Sequence, residues 1–583
     1  MTDPAPPRIT ISTSDHAAPE ESPIRAVATD YVKGLAAVDP QAARALGWAV
    51  ESHLPHVGPD DFDARREIGD RASAALSQAV IDSTHASSAD LDLAAAMGER
   101  LAADALLDDS GFTQRLLAPL ATPVQEIREV LEALPLNNEA DAQSLAAELR
   151  RAPAALRDYR DTLRRAAARG HRVASRQVEA VARQCLDWCD PAGSDFFAGL
   201  SRATAALPAV SSATARAVGE GVTATRRAFT EFVDFLTDEL LPGAPVAGGV
   251  GRELYAVTAR AFLGADVDLD ETVDWGWSEL HRIDREIRRA AKALHPDGLA
   301  AAIAMLDADP SRIVTGPRGI EAWLTDSVAE IADAVDGHVV ELPPAARLPR
   351  CLVSRSGGGV MYYSAPDPGL TRPGTIWWAT EVTPIVHTWR ERTTLLHEGI
   401  PGHHLQITTA LTSELHPWQQ ALCHIHGYAE GWAHYSESWA ADIGLLDDPA
   451  DRLGMLIGQA WRAARIVIDA GLHLGLPIPA GQGMDTGRWT YSTAVDHLQR
   501  ITGLGDRMAS FEVDRYLGWP AQALSFRVGA RLFSDIVSQG GARPGSPGET
   551  FHTDLLRRGP MGLEPLRTRL AQQPTTSIDQ LKK

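Results

Sequence analysis

Cysteine is scarce: four residues, Cys185, Cys189, Cys351 and Cys423, in a chain of 583. They form no two CxxC pairs, which argues against a structural zinc knuckle. So low a count suits a reducing compartment. Cys185 and Cys189 are read as two small buried residues on one helix face. No apolar run approaches the roughly eighteen residues of a membrane-spanning helix. The opening stretch, MTDPAPPRITISTSDHAAPEESP, has neither a basic segment nor an apolar one, so no secretory leader is expected. Its Pro, Ser and acidic content predicts a disordered tail over residues 1–23. Positive charge is also short. The net charge is -21 and the pI about 5.3. Nucleic acid and anionic membranes both need a basic face, so neither is expected as a partner. These absences together predict a cytoplasmic protein.

What remains is mostly helix. Alanine-rich stretches with apolar residues at helical spacing recur from Ile24 onwards. Helices are expected around 24–38, 63–79, 91–107, 123–134, 174–189, 211–241, 250–262 and 270–294. The segment 141–169 should hold two helices meeting at Pro153. The basic run from Arg151 to Arg172 reads as a solvated helix face. The Pro242 to Gly249 stretch is the candidate boundary between an N-terminal helical half, 24–245, and a C-terminal half, 246–583. A small sheet is expected over about 342–380, where β-branched and aromatic residues gather and Gly357, Gly358 and Gly359 punctuate them. An edge strand there could align an extended peptide. Helices then return over 389–411, 418–442, 452–472, 488–504, 521–538, 550–557 and 563–571.

Histidine is concentrated. Eight of 19 lie between His387 and His434. Thr394 to Gln406 reads TLLHEGIPGHHLQ. A helix carrying His-Glu-x-x-His chelates zinc with two histidines on one face and uses the glutamate as general base. Here His397-Glu398 is present, but position i+4 is Pro401. On an ideal helix His403 would sit about 120° from the face of His397. His404 would share the face but lie about 10.5 Å along the axis. Pro401 breaks the helix and Gly402 tolerates unusual dihedrals. A bulge there can bring His403 to the metal beside His397. His404 is kept as the substitute. The third ligand should come from GYAEGWAHYSESW, Gly427 to Trp439, which supplies Glu430, His434 and Glu437 at helical spacing. Glu430 is assigned as the third ligand. His434 and Glu437 are expected to support the ligands or touch substrate. His387, His416, His424 and His426 are read as satisfied polar groups of the core.

HEGIPGHHLQ followed by EGWAHYSE resembles the bacterial family known as domain of unknown function 885. That family is similar to the gluzincin zinc metallopeptidases of the thimet oligopeptidase and angiotensin-converting enzyme type, in which a glutamate of the next helix completes the metal site. Further segments carry the resemblance: Asp266 to Ala290, RYLGWPAQALSFRVG from Arg515 to Gly529, and FHTDLLRRGPMGLEPL from Phe551 to Leu566. The motif departs from the oligopeptidases in its HE-x4-HH spacing. The resemblance implies a mainly α, gluzincin-like body of many helices, with the small sheet beside the metal helix and a deep central cleft. It implies one Zn2+ and hydrolysis of short peptides or peptide-like molecules, with Glu398 as base. Tyr516 is expected as donor to the oxyanion, with Arg515 as its alternative or as a carboxylate anchor. Gln522, Arg527, Tyr362 and Tyr363 are weaker candidates near the cleft. The rival expectation is a metal-binding protein without hydrolytic activity, or a biosynthetic enzyme that reuses the site.

Overall fold

A computed structural model describes residues 22–83, 85–190, 196–354, 361–379, 385–484, 487–539 and 549–572. Residues 1–21 and the Gly357–Gly359 connection lie outside the described residues. The chain is mainly α-helical, as expected, and carries two small sheets. Among the described residues no helix is long and apolar enough to cross a membrane.

Local chemistry fixes most helix ends. Ser22 caps the first helix, Pro23–Val38, by accepting from the Arg25 N–H. Asp448 caps Pro449–Leu474 by accepting from Ala450, and Gly475 closes that helix in the left-handed region. Pro153 does not divide its segment. Glu139–Ala168 is one helix with the proline inside it. Packing explains this: Ala152, Ala155, Leu156 and Tyr159 are buried in one core across the proline, and burial of that face outweighs one lost backbone bond. Helices at Phe196–Ala205, Leu299–Ala308, Pro317–Val335 and Asp506–Gly518 add to the expected set.

Two main cores organise the chain. The smaller one holds side chains from Leu54 to Leu236. The larger one gathers the C-terminal helices, but it also takes Ile24, Ala28, Val32, Leu76, Leu93 and Met97. The first long helices therefore pack with the C-terminal half, and the cores do not divide at residue 245.

The three-stranded sheet has Thr375–Ala379 at its centre. Arg350–Ser354 runs parallel to it and Met361–Ser364 antiparallel. A second ribbon, unexpected from the sequence, pairs Ile313–Thr315 with Ile385–His387. Three-residue strands carry too little pattern to be seen beforehand. This ribbon leads straight into the helix Thr388–Glu398. Asp307 fixes the start of that helix, accepting from the Trp389 indole at 3.1 Å and the Arg390 guanidinium at 2.8 Å.

The expected helix 389–411 is two helices, Thr388–Glu398 and His403–Thr412. The expected helix 418–442 is likewise two, Pro417–Ala421 and His426–Asp442. The helix His426–Asp442 lies against Ser525–Gln539 with a glycine from each at the contact. A Cβ on Gly431 would stand 2.8 Å from the Gly529 backbone. Gly431→Ala should push these helices apart and lower stability by about 1–3 kcal/mol, the usual range for overpacking. Thermal denaturation tests this. An unchanged midpoint would show that the contact tolerates a methyl group.

Candidate functional site

The chain leaves its helix after Glu398 and re-enters at His403. Gly399 and Gly402 adopt φ/ψ of -100°/-118° and -79°/-132°, far from helical values. A Cβ on Gly402 would stand 1.9 Å from the His397 carbonyl oxygen. Only glycine fits there. The Gly402 N–H donates to Leu396 O at 3.0 Å, and the His404 N–H to Gly399 O at 3.1 Å. The Trp432 indole N–H donates to Pro401 O at 2.9 Å, tying the break to the helix that carries Glu430.

The break brings His397 and His403 together, with ring centroids 4.8 Å apart. Glu430 Oε2 lies 3.3 Å from His397 Nε2 and 3.5 Å from His403 Nε2. One donor atom from each of the three lies within 4.8 Å of the others. Ligand atoms of a tetrahedral zinc are about 3.3–3.4 Å apart at bond lengths of roughly 2.0–2.1 Å. The Glu430 distances fit that spacing, and two imidazoles with one carboxylate form a donor set suited to zinc.

A second cluster, His397, His434 and Glu437, shares one imidazole with the first. Its distances are those of hydrogen bonds. His397 Nδ1 is 2.8 Å from Glu437 Oε1, and His434 Nδ1 is 3.1 Å from the same oxygen. A carboxylate only accepts, so Nδ1 donates and Nε2 is the nitrogen turned to Glu430. Thr393 donates to the other oxygen of Glu437 at 2.8 Å. Glu437 therefore orients His397 from behind. The His434 Nε2 accepts from Arg527 at 3.3 Å, and Arg527 is held in turn by Glu279.

Burial and charge oppose one another here. Burial alone would lower the His397 imidazole, but hydrogen bonds to Glu430 and Glu437 raise it to about 10. Burial would raise Glu430, but its bonds to His397 and His403 hold it well below the carboxylate range. Glu437 is held low against its burial by the charges of His434 and Arg462 and the His397 bond. Glu398 behaves oppositely: burial dominates and pushes its carboxyl up.

His404 does not join the cluster. It is buried against the sheet, with Nδ1 2.7 Å from the Tyr363 hydroxyl, and burial holds its imidazole down to about 4. One residue along a helix turns a side chain through about 100°, so His403 and His404 serve different neighbours. Tyr363 thus sits on an edge strand beside the His403 helix, while Tyr362 is exposed and stacks on Trp377.

The expectation for Tyr516 is corrected. Its side chain is fully buried, and its hydroxyl donates to Glu512 Oε2 at 2.8 Å. Its one proton is committed. Arg465 and Arg515 also bind Glu512, at 2.9 and 3.1 Å, and their charges hold Glu512 near 2 against its burial. Arg515 takes Gln522 Oε1 at 2.8 Å, so both residues belong to this network. The network meets the histidines through Phe526. The Arg465 guanidinium lies 4.6 Å from the centre of that ring, and the His397 ring stacks with it at 6.3 Å.

Sequence reading missed His424 as a site neighbour. It is exposed at the start of the Glu430 helix, stacks edge-on with His426, and feels the charge of Glu430. Nothing in its spacing marks it, because it lies in the turn before the helix.

The family of bacterial proteins of unknown function designated DUF885 matches residues 40–570. The chain belongs to this family. No curated protein matches the chain. Solved structures share the fold seen here, among them the following two. The putative lipoprotein from Colwellia psychrerythraea is 18% identical, with a TM-score of 0.79, over 94% of this chain and 99% of that one. The putative lipoprotein of unknown function from Shewanella oneidensis is 16% identical, with a TM-score of 0.69, over 94% of this chain and 100% of that one. This likeness shows the fold alone. It also overturns the cytoplasmic expectation. These two proteins are each described as a lipoprotein, so the helical fold does not fix a cytoplasmic address.

A buried carboxyl, Asp469, should make stability depend on pH. Asp469 accepts from the Tyr255 hydroxyl at 2.7 Å and the Ala521 N–H at 2.9 Å. Burial raises it to about 8. The folded chain then keeps a proton that the unfolded chain sheds above about pH 4. The stability from this group is complete below pH 4 and is lost as pH rises through 8. Asp469→Asn should therefore flatten the fall in thermal midpoint between pH 5 and 9. Parallel profiles for the two proteins would refute the assignment.

Proposed function

We propose that this DUF885 protein is a zinc-dependent hydrolase of the gluzincin kind, acting on peptide bonds of short peptides. The observation that carries the proposal is the convergence of His397 Nε2, His403 Nε2 and a Glu430 oxygen, with Glu398 next to His397 in the chain. These three would hold the ion. The ion, when bound, polarises the scissile carbonyl and activates water.

The chain's own residues do the rest. Glu437 keeps His397 Nδ1 protonated, which leaves Nε2 for the metal. Glu398 accepts the proton of the attacking water and passes it to the leaving amine. Its raised pKa suits a group that must hold that proton between the two steps. The donors are set inward, with side-chain exposures of 3% for His397, 13% for His403 and 22% for Glu430. So low an exposure favours a slender substrate over a folded surface. Short peptides are therefore the proposed partners, with no nucleic acid and no membrane involved in the reaction.

Protein purified without chelator should carry one zinc per chain by elemental analysis. Glu398→Gln should keep that zinc and lose peptide turnover by at least about a hundredfold, the lower range for a removed general base. A digest of a peptide library by wild type and variant reads both. Turnover that is equal in the two would remove Glu398 as base, and absent zinc would sink the metal centre. Zinc retained with no cleavage by the wild type would favour a binding protein instead. Glu437→Gln should weaken zinc about 10–100-fold, as loss of a ligand's orienting partner does. Competition with a chromogenic chelator measures this, and unchanged affinity would show that Glu437 leaves the ligand geometry alone.

A further inference from the structure

A cavity of about 400 Å³ lies away from the histidines, where the smaller core meets the larger one. Leu117 of the smaller core and Leu517 of the larger one face it, with the 243–250 connection along one wall. Two arginines, Arg115 and Arg172, line it, and no aspartate or glutamate does. Arg115 donates to the Arg172 carbonyl at 3.1 Å, and Arg172 to the Gly243 carbonyl at 2.6 Å. Among the described residues neither has an acidic partner.

Two cations thus face one cavity whose lining holds no acid. Acidic residues number 76 against 55 lysines and arginines. Nearby Arg164 and Arg165 find Glu239 and Asp63, at 2.8 and 2.7 Å. Arg115 is half-buried, and burial alone moves its guanidinium, downwards. A carbonyl uses one N–H of each guanidinium and leaves the rest of its five donors. A third group completes the pattern. Gln177 lines the same cavity and is buried. Its amide N–H donates to Asp514 O at 2.9 Å, and its Oε1 has no partner among the described residues. A buried acceptor left unpaired costs free energy that a ligand N–H or O–H would recover.

We propose that this cavity is a binding site for a small oxyanion, a carboxylate or phosphate, that also carries a hydrogen-bond donor. The guanidiniums take the anion, since their planar forks match either group. Gln177 Oε1 accepts from the ligand's hydroxyl or amine. The volume suits a metabolite-sized molecule. The bound anion joins the two cores and stabilises their contact by mass action. The inference does not depend on the hydrolase reading.

Titration calorimetry on the full chain tests it with three probes: inorganic phosphate, which bears an O–H at neutral pH; L-malate, a hydroxylated carboxylate; and sulfate, which has no donor. Phosphate or malate should bind saturably at one site and raise the thermal midpoint, and the tighter of the two names the head group. Sulfate should bind more weakly than phosphate. Arg115→Gln and Arg172→Gln should each weaken binding by about tenfold or more, the effect of losing one charged hydrogen bond. Arg115→Lys, which keeps the charge, should recover part of the affinity and so separates a lost contact from a lost fold. Saturable binding by none of the probes would overturn the site. Binding unchanged in both glutamine variants would do the same, by placing the anion elsewhere, at the histidine cluster among other places. Sulfate bound as tightly as phosphate would remove Gln177 from the ligand's partners.

Discussion

Between Leu395 and His403 the backbone must give up helical hydrogen bonds and find others. An unpaired buried N–H or carbonyl would cost as much as a lost hydrogen bond. The chain answers within five residues. Gly402 N–H reaches back six residues to Leu396, His404 N–H turns to Gly399, and the Trp432 indole closes the Pro401 carbonyl. Each of these contacts needs the Gly402 backbone against the His397 carbonyl, where no side chain fits. The geometry of the whole site rests on that approach. It sets the spacing of His397 and His403, and through Trp432 it fixes both against Glu430.

Electrostatics extends the constraint outwards. Glu437 is wholly buried and would be costly alone. Thr393, His397 and His434 satisfy its oxygens, and Arg462 lies 4.0 Å away. His434 in turn faces Arg527, which Glu279 holds from the helix Leu269–Leu294. Hydrogen-bond acceptors and donors alternate from Glu437 through His434 and Arg527 to Glu279. An alternating chain keeps every buried group compensated, and it ties helices far apart in sequence to one imidazole ring.

The donors were legible because their chemistry is written in residue identity and spacing. His397, Glu398 and the Pro401-Gly402 break announce a histidine-bearing helix that cannot run straight, and Glu430 falls at a helical return. Many helix ends and the three-stranded sheet were legible for the same reason: capping residues, glycine and β-branched runs act locally. What stayed hidden depends on tertiary contact. Pro153 lies in a helix because the smaller core grips both sides of it. The ribbon at Ile313–Thr315 exists only through its pairing with Ile385–His387. His424 comes near Glu430 through a turn whose direction no pattern encodes. Compartment was not legible, since this helical fold is shared by proteins described as lipoproteins.

Tyr516 shows why a residue type in a suggestive place can mislead. A tyrosine near metal helices reads as an oxyanion donor, but a hydroxyl has one proton, and Glu512 accepts it. The question then becomes what the Arg515 to Gly529 signature does. Arg465 and Arg515, both held by Glu512, lie over Phe526 at 4.6 and 5.9 Å, and Phe526 stacks on the ring of His397. Cations on an aromatic face favour that ring's position. The signature thus acts on the His397 helix through packing. His397 is held at three points: Glu437 at Nδ1, the broken helix at its backbone, and Phe526 on its face. Nε2 is the part of the ring left to turn towards Glu430 and His403.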